Sequence, residues 1–498
     1  MKVAYNQLSI SIITIVVILS LFWCPTSFSF NYNFFLFISF LFSSIIYFRN
    51  KKIKNFLDFE PFFVFITFLM VYIFPLFVFD DQTAFLFSFN QYYDLTTINK
   101  GVALSTIAIL CFFIGNLVEK KQPHIRNSLQ RVRVSNGIVI TASLVLYIVF
   151  YLLGGFDNFL KVYKGESGGS SVANYVLVLL QVLCPIMCFN EFWNKSNVAG
   201  YHYNWIAFLL VLWISLHFAI VGSRTNASII LLSSIVAYSV LIKNQSICRF
   251  LVFMIVGIML MWILQSFRAG YDTNWNLEWY YMISDLFIPN TNTYLSIEIV
   301  NKQGITYGVS SLASILSVIP FLQGYVESVF SIGPHQTNSA TLFTDYLGSS
   351  AGMGTNFIAD LYLSFGILGV IIFPFLFGYI LCIIKSHLKV SYYSSLLYII
   401  IAGFSVYIVR SSLFFLLKFL LFGFLLAYFF NYLSTKIYPK GPENGRTVQM
   451  NCESVGSDFQ AIWQKILKRQ VYANFGQSSV TKTLPSPLKA RIGKSGNE

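Results

Sequence analysis

Long apolar runs recur from residue 7 to residue 432, and short polar connections separate them. Most runs lack the regular polar positions of a half-exposed soluble helix. A helix that crosses a bilayer needs about 20 apolar residues. On this criterion the sequence predicts twelve spans: 7–24, 29–48, 59–79, 101–118, 137–154, 172–191, 204–222, 226–242, 249–267, 357–384, 392–409 and 412–432. We therefore expect an all-α, polytopic integral membrane protein with about twelve transmembrane helices.

Composition supports this class. The chain is 56% hydrophobic and 11% charged, with a mean hydropathy of +0.67, whereas a soluble domain carries roughly 25% charged residues. The first apolar run has no convincing small-residue cleavage site, so it is predicted to be a retained helix and not a signal peptide. No motif indicates a metal or a cofactor, since Cys184 and Cys188 have the wrong spacing for a metal pair and no second pair follows.

Lysine and arginine occur at every second connection. They are Arg49, Lys51, Lys52 and Lys54, then Lys120, Lys121, Arg126, Arg131 and Arg133, then Lys195, then Lys243 and Arg249, then Lys385 and Lys389. This alternation predicts that these connections and both termini are cytoplasmic. It also accounts for the net charge of +13 without a nucleic-acid partner. Residues 1–434 form the predicted membrane domain, and the basic segment 435–498 is expected to be a largely disordered cytoplasmic tail.

The longest connection within the membrane domain runs from Arg268 to Asn356. It contains six acidic residues but only two basic ones, Arg268 and Lys302, which predicts export to the opposite side of the membrane. Its apolar piece Ser311–Leu322 is expected to lie along the membrane surface as short amphipathic helices.

Three arginines lie at span ends on the predicted exported side: Arg224, Arg268 and Arg410. Positive charge is disfavoured there unless it is used. The guanidinium group recognises phosphate or carboxylate in a bidentate manner, so these arginines are candidate anion ligands. The alternative is that each one is an anchor that extends from a helix end to the membrane surface.

A glycine-rich turn containing Gly352, Gly354 and Asn356 leads into the tenth span. Backbone N–H groups at such a helix start can bind an anion, although no Walker lysine follows. Asp360, in the first turn of that span, is a candidate catalytic carboxylate or a residue that stabilises the helix dipole.

Two more side chains are candidates. His335 is the only histidine in the long connection and can act as a general base or a phosphate donor, unless it is only solvated. Lys418 lies eight residues beyond Arg410 in an apolar run, where an ammonium needs a partner or a cavity. It is expected to help hold an anionic headgroup or to pair with Asp360.

The string from Gly352 to Gly369, GMGTNFIADLYLSFGILG, resembles that of Wzy-type O-antigen polymerases, in which a glycine-rich turn precedes an Ile-Ala-acid-x-Tyr-x-x-Phe-Gly-x-x-Gly pattern. The twelve spans and the late exported connection resemble that family too, over roughly residues 1–434. The resemblance implies a membrane glycosyltransferase of lipopolysaccharide biosynthesis that needs no nucleotide-sugar donor. Such an enzyme moves a growing glycan from undecaprenyl pyrophosphate onto a new lipid-linked repeat unit, at the periplasmic face of the inner membrane.

The related O-antigen ligases use arginines near the membrane surface and a histidine in the large loop, and Arg224, Arg268 and His335 match that pattern by order and side. The arginines, with Arg410, would then bind the donor pyrophosphate, while His335 or Asp360 would take the acceptor proton. A separate chain-length regulator is a further candidate partner. The alternatives are a repeat-unit flippase and an O-antigen ligase.

Overall fold

The computed structural model describes residues 2–79, 94–118, 134–157, 171–198, 200–221, 223–268, 283, 286–349 and 352–437. Within these residues the regular elements are helices and no strand occurs, so the all-α class is confirmed. The membrane-domain helices are α1 Lys2–Phe22, α2 Phe30–Lys51, α3 Phe59–Ile73, α4 Ile98–Asn116, α5 Asn136–Leu152, α6 Ser171–Asn197, α7 Trp205–Ile220, α8 Arg224–Leu241 and α9 Ile247–Arg268. The long connection adds α10 Thr291–Gln303, α11 Leu312–Leu316, α12 Leu322–Phe330, α13 Pro334–Thr337 and α14 Ser339–Leu347, and α15 Phe357–Ser386, α16 Tyr392–Gly403 and α17 Leu416–Ile437 follow.

Every predicted span coincides with a helix, but the helices differ in length. Seven are long and apolar enough to cross a membrane, among the described residues. The other five, α1, α5, α7, α9 and α16, have shorter apolar stretches of 10–17 residues. The eleventh predicted span, 392–409, is the clearest difference, because α16 ends at Gly403 and a 3₁₀ turn, Ile408–Arg410, follows. A multi-pass membrane protein is therefore supported, and the number twelve stays a prediction.

Polar side chains fix where several helices begin. The Asn204 side chain accepts a hydrogen bond from the Ile206 N–H at the start of α7, and Asp58 accepts one from the Phe59 N–H at the start of α3. The cap satisfies N–H groups that have no partner within the helix. These two apolar runs thus start as helices at a defined residue.

The centre of the bundle is α4, whose residues are buried almost throughout. It packs closely against α15 because both helices lack a side chain at the crossing. A Cβ atom on Gly115 would lie 2.0 Å from the Phe375 carbonyl oxygen, and one on Gly378 would lie 2.3 Å from the Phe112 carbonyl oxygen. Small residues permit such close backbone contact between membrane helices.

An ionic cluster lies at the C-terminal end of α15. The Lys385 ammonium is 2.8 Å from the Asp58 carboxylate and 2.6 Å from the Glu60 carboxylate, and the Tyr398 hydroxyl donates to Asp58. Both carboxylates are buried. The cluster joins the start of α3 and the end of α15 to α16. It lies on the order of 35 Å from Asp360, which is near the other end of α15.

Candidate functional site

Asp360 joins three separate parts of the chain. It lies in the first turn of α15 and is fully buried. Its Oδ2 atom accepts hydrogen bonds from Ser311 Oγ at 2.9 Å and from Ser412 Oγ at 2.7 Å, and the Ser339 hydroxyl is close enough to interact with the carboxylate. The second oxygen, Oδ1, is also buried and has no partner of ordinary hydrogen-bond geometry among the described residues. Asp360 thus fixes the long connection and the segment after Arg410 to the start of α15.

A chain of hydroxyl groups extends from this carboxylate. Ser311 Oγ lies 2.7 Å from Ser364 Oγ, which lies 2.8 Å from Ser310 Oγ. Ser310 Oγ in turn lies 2.7 Å from Thr306 Oγ1. Ser310, Ser311 and Ser364 are buried, while Thr306 is half-buried. Asp360 therefore sits at one end of a continuous hydrogen-bonded row of neutral groups.

A break in α15 holds the long connection in place. Gly366 has φ +63° and ψ −151°, which is not helical and which a residue with a side chain rarely adopts. The break exposes carbonyl groups of the preceding turn. The Leu363 oxygen accepts the Thr306 N–H at 2.9 Å, and the Ser364 oxygen accepts the Gly308 N–H at 3.0 Å. The connection is thus bonded backbone to backbone to α15.

The glycine-rich turn ends in a buried cap. Asn356 Oδ1 accepts from the N–H groups of Ile358 at 3.0 Å and Ala359 at 2.8 Å. Its Nδ2 atom donates to the Pro289 oxygen at 2.6 Å. Asn356 itself therefore occupies N–H groups that were predicted to face an anion. Gly352 and Gly354 are exposed, and the φ of +69° at Gly354 explains the need for glycine there.

Two of the three predicted arginines lie at the same end of the bundle as Asp360. Arg410 is half-buried at the end of its 3₁₀ turn, two residues before Ser412, which donates to Asp360. It lines one pocket together with Thr225 and Ser228 from the first turns of α8. Arg224 is the first residue of α8 and is half-buried. The structure thus brings Arg410 to the helix start that carries Arg224.

The predictions for Arg268 and Lys418 compare differently with the structure. Arg268 is the last residue of α9, and its side chain lies outside the described residues. The Lys418 ammonium lies 3.7 Å from the centre of the Phe415 ring. No ion pair between Lys418 and Asp360 is present in the described part of the chain, where Lys418 instead makes this cation–π contact.

His335 is exposed on the short helix α13. Its imidazole ring lies against Gly333, where a Cβ atom would come within 2.3 Å of the ring Cε1 atom. On the same helix, Thr337 is buried and its hydroxyl donates to Glu327 Oε1 at 2.6 Å. Helix α13 packs on the 3₁₀ turn that carries Ser311. His335 therefore lies in the layer next to the Asp360 network, with its ring accessible.

Lys302 is the other basic residue predicted in the long connection. Its ammonium donates to Glu298 Oε1 at 2.7 Å and to the Tyr346 hydroxyl at 3.0 Å. These hydrogen bonds raise the pKa of Lys302. The lysine is thus already paired with an acid of its own helix, α10, which makes it a poor candidate for anion binding.

Sequence reasoning missed the serines around Asp360 and the ionic cluster at the other end of α15. A signal for the first was present, since Ser364 follows Asp360 by one helical turn and Ser412 closely follows Arg410. Polar residues at such positions within apolar runs are candidate partners of a buried charge. Ser311 and Ser412 each lie about 50 residues from Asp360 along the chain, and the sequence pattern does not reveal contacts over that separation.

The apolar outward faces of the helices define a polytopic all-α membrane protein. A buried carboxylate beside arginine-bearing turns gives it a polar site near one end of its bundle. A family model for the O-antigen polysaccharide polymerase Wzy matches residues 9–441, which is most of the chain. The chain therefore belongs to the Wzy family of O-antigen polysaccharide polymerases. No curated protein and no solved structure gives a significant match.

Proposed function

We propose that this protein is a periplasm-facing glycosyltransferase of the bacterial inner membrane, which polymerises repeat units linked to undecaprenyl pyrophosphate. Membership of the Wzy family supports the polymerase activity. In the proposed topology twelve helices cross the membrane, both termini are cytoplasmic, and the connection 268–356 is periplasmic. The lysines and arginines at alternate connections support this orientation.

The observation that carries the proposal is the position of Arg410. Arg410 lines one pocket with the first turns of α8, which Arg224 begins, and the nearby Ser412 donates to Asp360 at 2.7 Å. Guanidinium groups held at a membrane boundary are suited to a lipid-linked pyrophosphate, which presents several anionic oxygens. Arg268, at the end of α9, is the third proposed ligand of this pyrophosphate.

The transfer needs a nucleophile, a leaving group and a proton acceptor. The acceptor hydroxyl oxygen attacks the anomeric carbon of the donor glycan and forms the new glycosidic bond. The bond from that carbon to the pyrophosphate oxygen breaks, and the electron pair leaves with undecaprenyl pyrophosphate. Arg224, Arg268 and Arg410 stabilise the negative charge that develops on this leaving group.

His335 and Asp360 have different parts in this mechanism. His335 is exposed, so its ring can reach a sugar hydroxyl and take the acceptor proton. Asp360 is fully buried and bonded to Ser311 and Ser412. We therefore assign Asp360 a positioning role, in which it holds the Arg410 turn and the segment beneath α13 in register.

Replacement of Arg410 tests the proposal. We expect Arg410→Ala to reduce long-chain polysaccharide by about 100-fold, with single-repeat products retained, because one stabilising charge is lost. The measurement is the chain-length ladder of surface polysaccharide from cells that lack the native gene, at matched protein level. Arg249→Ala is the matched control, since Arg249 is exposed at the start of α9 and donates to Gln245.

Three outcomes contradict the proposal. A wild-type ladder from Arg410→Ala would show that Arg410 is only an anchor. Full-length polymer that stays on the carrier lipid in cells without the protein would indicate a ligase. Repeat units that remain on the cytoplasmic side of the membrane in those cells would indicate a flippase.

A further inference from the structure

Helix α12 presents its apolar side chains outward. Phe321, just before the helix, is 62% exposed, and Tyr325 and Val329 are 67% and 57% exposed. These residues are spaced by four, so they lie on one face of the helix. The next residue, Phe330, is exposed as well.

Two polar groups of α12, Gln323 and Glu327, face the protein, while Ser328 is exposed. Glu327 is half-buried, and its Oε1 atom accepts hydrogen bonds from Gln323 at 3.0 Å and from Thr337 at 2.6 Å. A surface helix of a soluble protein shows the reverse pattern, with its apolar face towards the core. Helix α12 instead has its one charged residue, Glu327, on the half-buried side and its aromatic residues on the exposed side, as is expected for an element whose outer surroundings are not water.

The apolar surface extends beyond α12. Ile315 and Ile319, which precede the helix, are also exposed. Between Gln303 and Thr344, Glu327 is the only Asp, Glu, Lys or Arg in the sequence. A contiguous, charge-poor apolar surface of this kind marks a contact site.

Two contacts place this surface at the end of candidate membrane spans. The Phe321 N–H donates to the Tyr175 hydroxyl at 2.9 Å, and the two rings lie 5.2 Å apart between centres. Tyr175 is near the start of α6, within the candidate span Val172–Asn197. On the other side, α11 packs on the 3₁₀ turn Leu413–Phe415, which begins the candidate span Leu413–Ile437.

We propose that α12 lies in the membrane surface, with Phe321, Tyr325, Val329 and Phe330 among the acyl chains of the leaflet on the Asp360 side. The outward faces of the spans are apolar as well, as Leu209, Leu212 and Leu216 of α7 illustrate, so the surface of α12 continues the one that the bilayer covers. Tyrosine and phenylalanine are suited to this boundary. The inference does not depend on the proposed function.

This placement sets the height of His335 relative to the membrane. Glu327 is on the inner face of α12 and accepts the Thr337 hydroxyl from α13, the helix that carries His335. A helix held in the leaflet thus holds the adjacent histidine at the membrane boundary.

Depth measurement by spin labelling tests the proposal. The full chain, with its native cysteines replaced, is reconstituted in phosphatidylglycerol–phosphatidylethanolamine vesicles that contain no polyprenyl lipid. Nitroxide labels are attached to Tyr325→Cys and Val329→Cys, and the accessibility of each label to oxygen and to a water-soluble nickel chelate is measured. Leu212→Cys is the lipid-exposed reference, and Gln303→Cys, exposed at the end of α10, is the aqueous reference.

We expect the α12 labels to favour oxygen over nickel, at a depth of about 5–10 Å. Nickel accessibility equal to that at Gln303→Cys would overturn the proposal, because the face would then be in water. Protection from both reagents would overturn it in favour of a protein contact. A shift to the lipid-like ratio only after addition of a polyprenyl pyrophosphate would show that the face binds the substrate chain instead of the bilayer.

Discussion

Buried carboxylates lie at both ends of α15, but they are stabilised differently. At the C-terminal end, Asp58 and Glu60 are neutralised by Lys385 at 2.8 and 2.6 Å. At the N-terminal end, Asp360 is bonded to the neutral hydroxyls of Ser311 and Ser412, with the Ser339 hydroxyl nearby. Its Oδ1 atom has no partner of ordinary hydrogen-bond geometry in the described part of the chain.

The difference separates a structural cluster from a candidate site. A buried carboxylate is costly unless it is paired and hydrogen-bonded, and at the Lys385 end this requirement is met. At Asp360 it is met only in part, and such incompletely compensated groups concentrate at functional sites. We therefore expect substitutions at the first end to act through stability and those at the second to act mainly through activity.

The largest effect is expected for Lys385→Ala. This change leaves Asp58 and Glu60 buried without a cation, at a cost of about 3 kcal/mol. Breaking a buried ion pair costs about 3–5 kcal/mol, and the Lys385 side chain is 27% exposed, so the cost lies at the low end. The measurement is the free energy of unfolding or the thermal midpoint in detergent, and Lys243→Ala, at an exposed lysine, is the control.

A combined variant sharpens this prediction. Lys385→Met together with Asp58→Asn and Glu60→Gln removes all three charges, so much of the lost stability should return. Stability as low as in Lys385→Ala would show that the helix contacts, and not the charges, hold this end together.

A smaller loss of stability and a larger loss of activity are expected at Asp360. Asp360→Ala removes the acceptor of two buried hydroxyls, which costs about 2 kcal/mol. Asp360→Asn keeps an acceptor oxygen and should stay within about 1 kcal/mol of the native protein. Both variants should lower the amount of long-chain polymer about 10–100-fold. Asp360→Ala removes the hydrogen bond that ties Ser412 and the Arg410 turn to α15, and the amide oxygen of Asp360→Asn accepts that bond more weakly than the carboxylate does.

The comparison between the two ends fails if Asp360→Asn is as unstable as Lys385→Ala, or if it is stable and produces the native ladder. The two readouts, unfolding in detergent and chain length in cells, are required together because either one alone confuses folding with chemistry.

The smallest effect is expected for Ser364→Ala, which interrupts the hydroxyl row between Ser310 and Ser311. One neutral hydrogen-bond link is lost at each side, for a cost of about 1 kcal/mol. Ser105→Ala is the matched control, since Ser105 is a buried serine whose hydroxyl donates to the Gly101 oxygen of its own helix. Equal unfolding midpoints and equal ladders for the two variants would show that the row has no role of its own.

The helical fold could be predicted because each apolar run specifies a helix through its own composition, and in cases such as α3 and α7 through a cap as well. Helix α10 was missed for the opposite reason. Its sequence, TNTYLSIEIVNKQ, is too polar to suggest a buried element, and it is ordered by distant partners such as the Asn356 side chain, which donates to Thr293 at 3.0 Å. Tertiary contacts of this kind override local propensity.

The candidate site could be predicted in part. Arg224, Arg410 and Asp360 were identified because charge is costly and conspicuous in apolar sequence. Lys385 was interpreted as an ordinary cytoplasmic lysine, and its pairing with Glu60 depends on two helix ends more than 300 residues apart. Pairings over such separations follow from helix packing, which the pattern of apolar runs does not specify.

The break at Gly366 has a consequence for chimeras between this protein and its relatives. Because the carbonyls of Leu363 and Ser364 accept N–H groups from Thr306 and Gly308, the connection completes the hydrogen bonding of the span. A chimera that takes the loop from one polymerase and the span from another keeps these bonds only if the loop backbone retains its register against Leu363 and Ser364. In loop-swapping experiments the segment to exchange is therefore the loop together with the first half of the following helix.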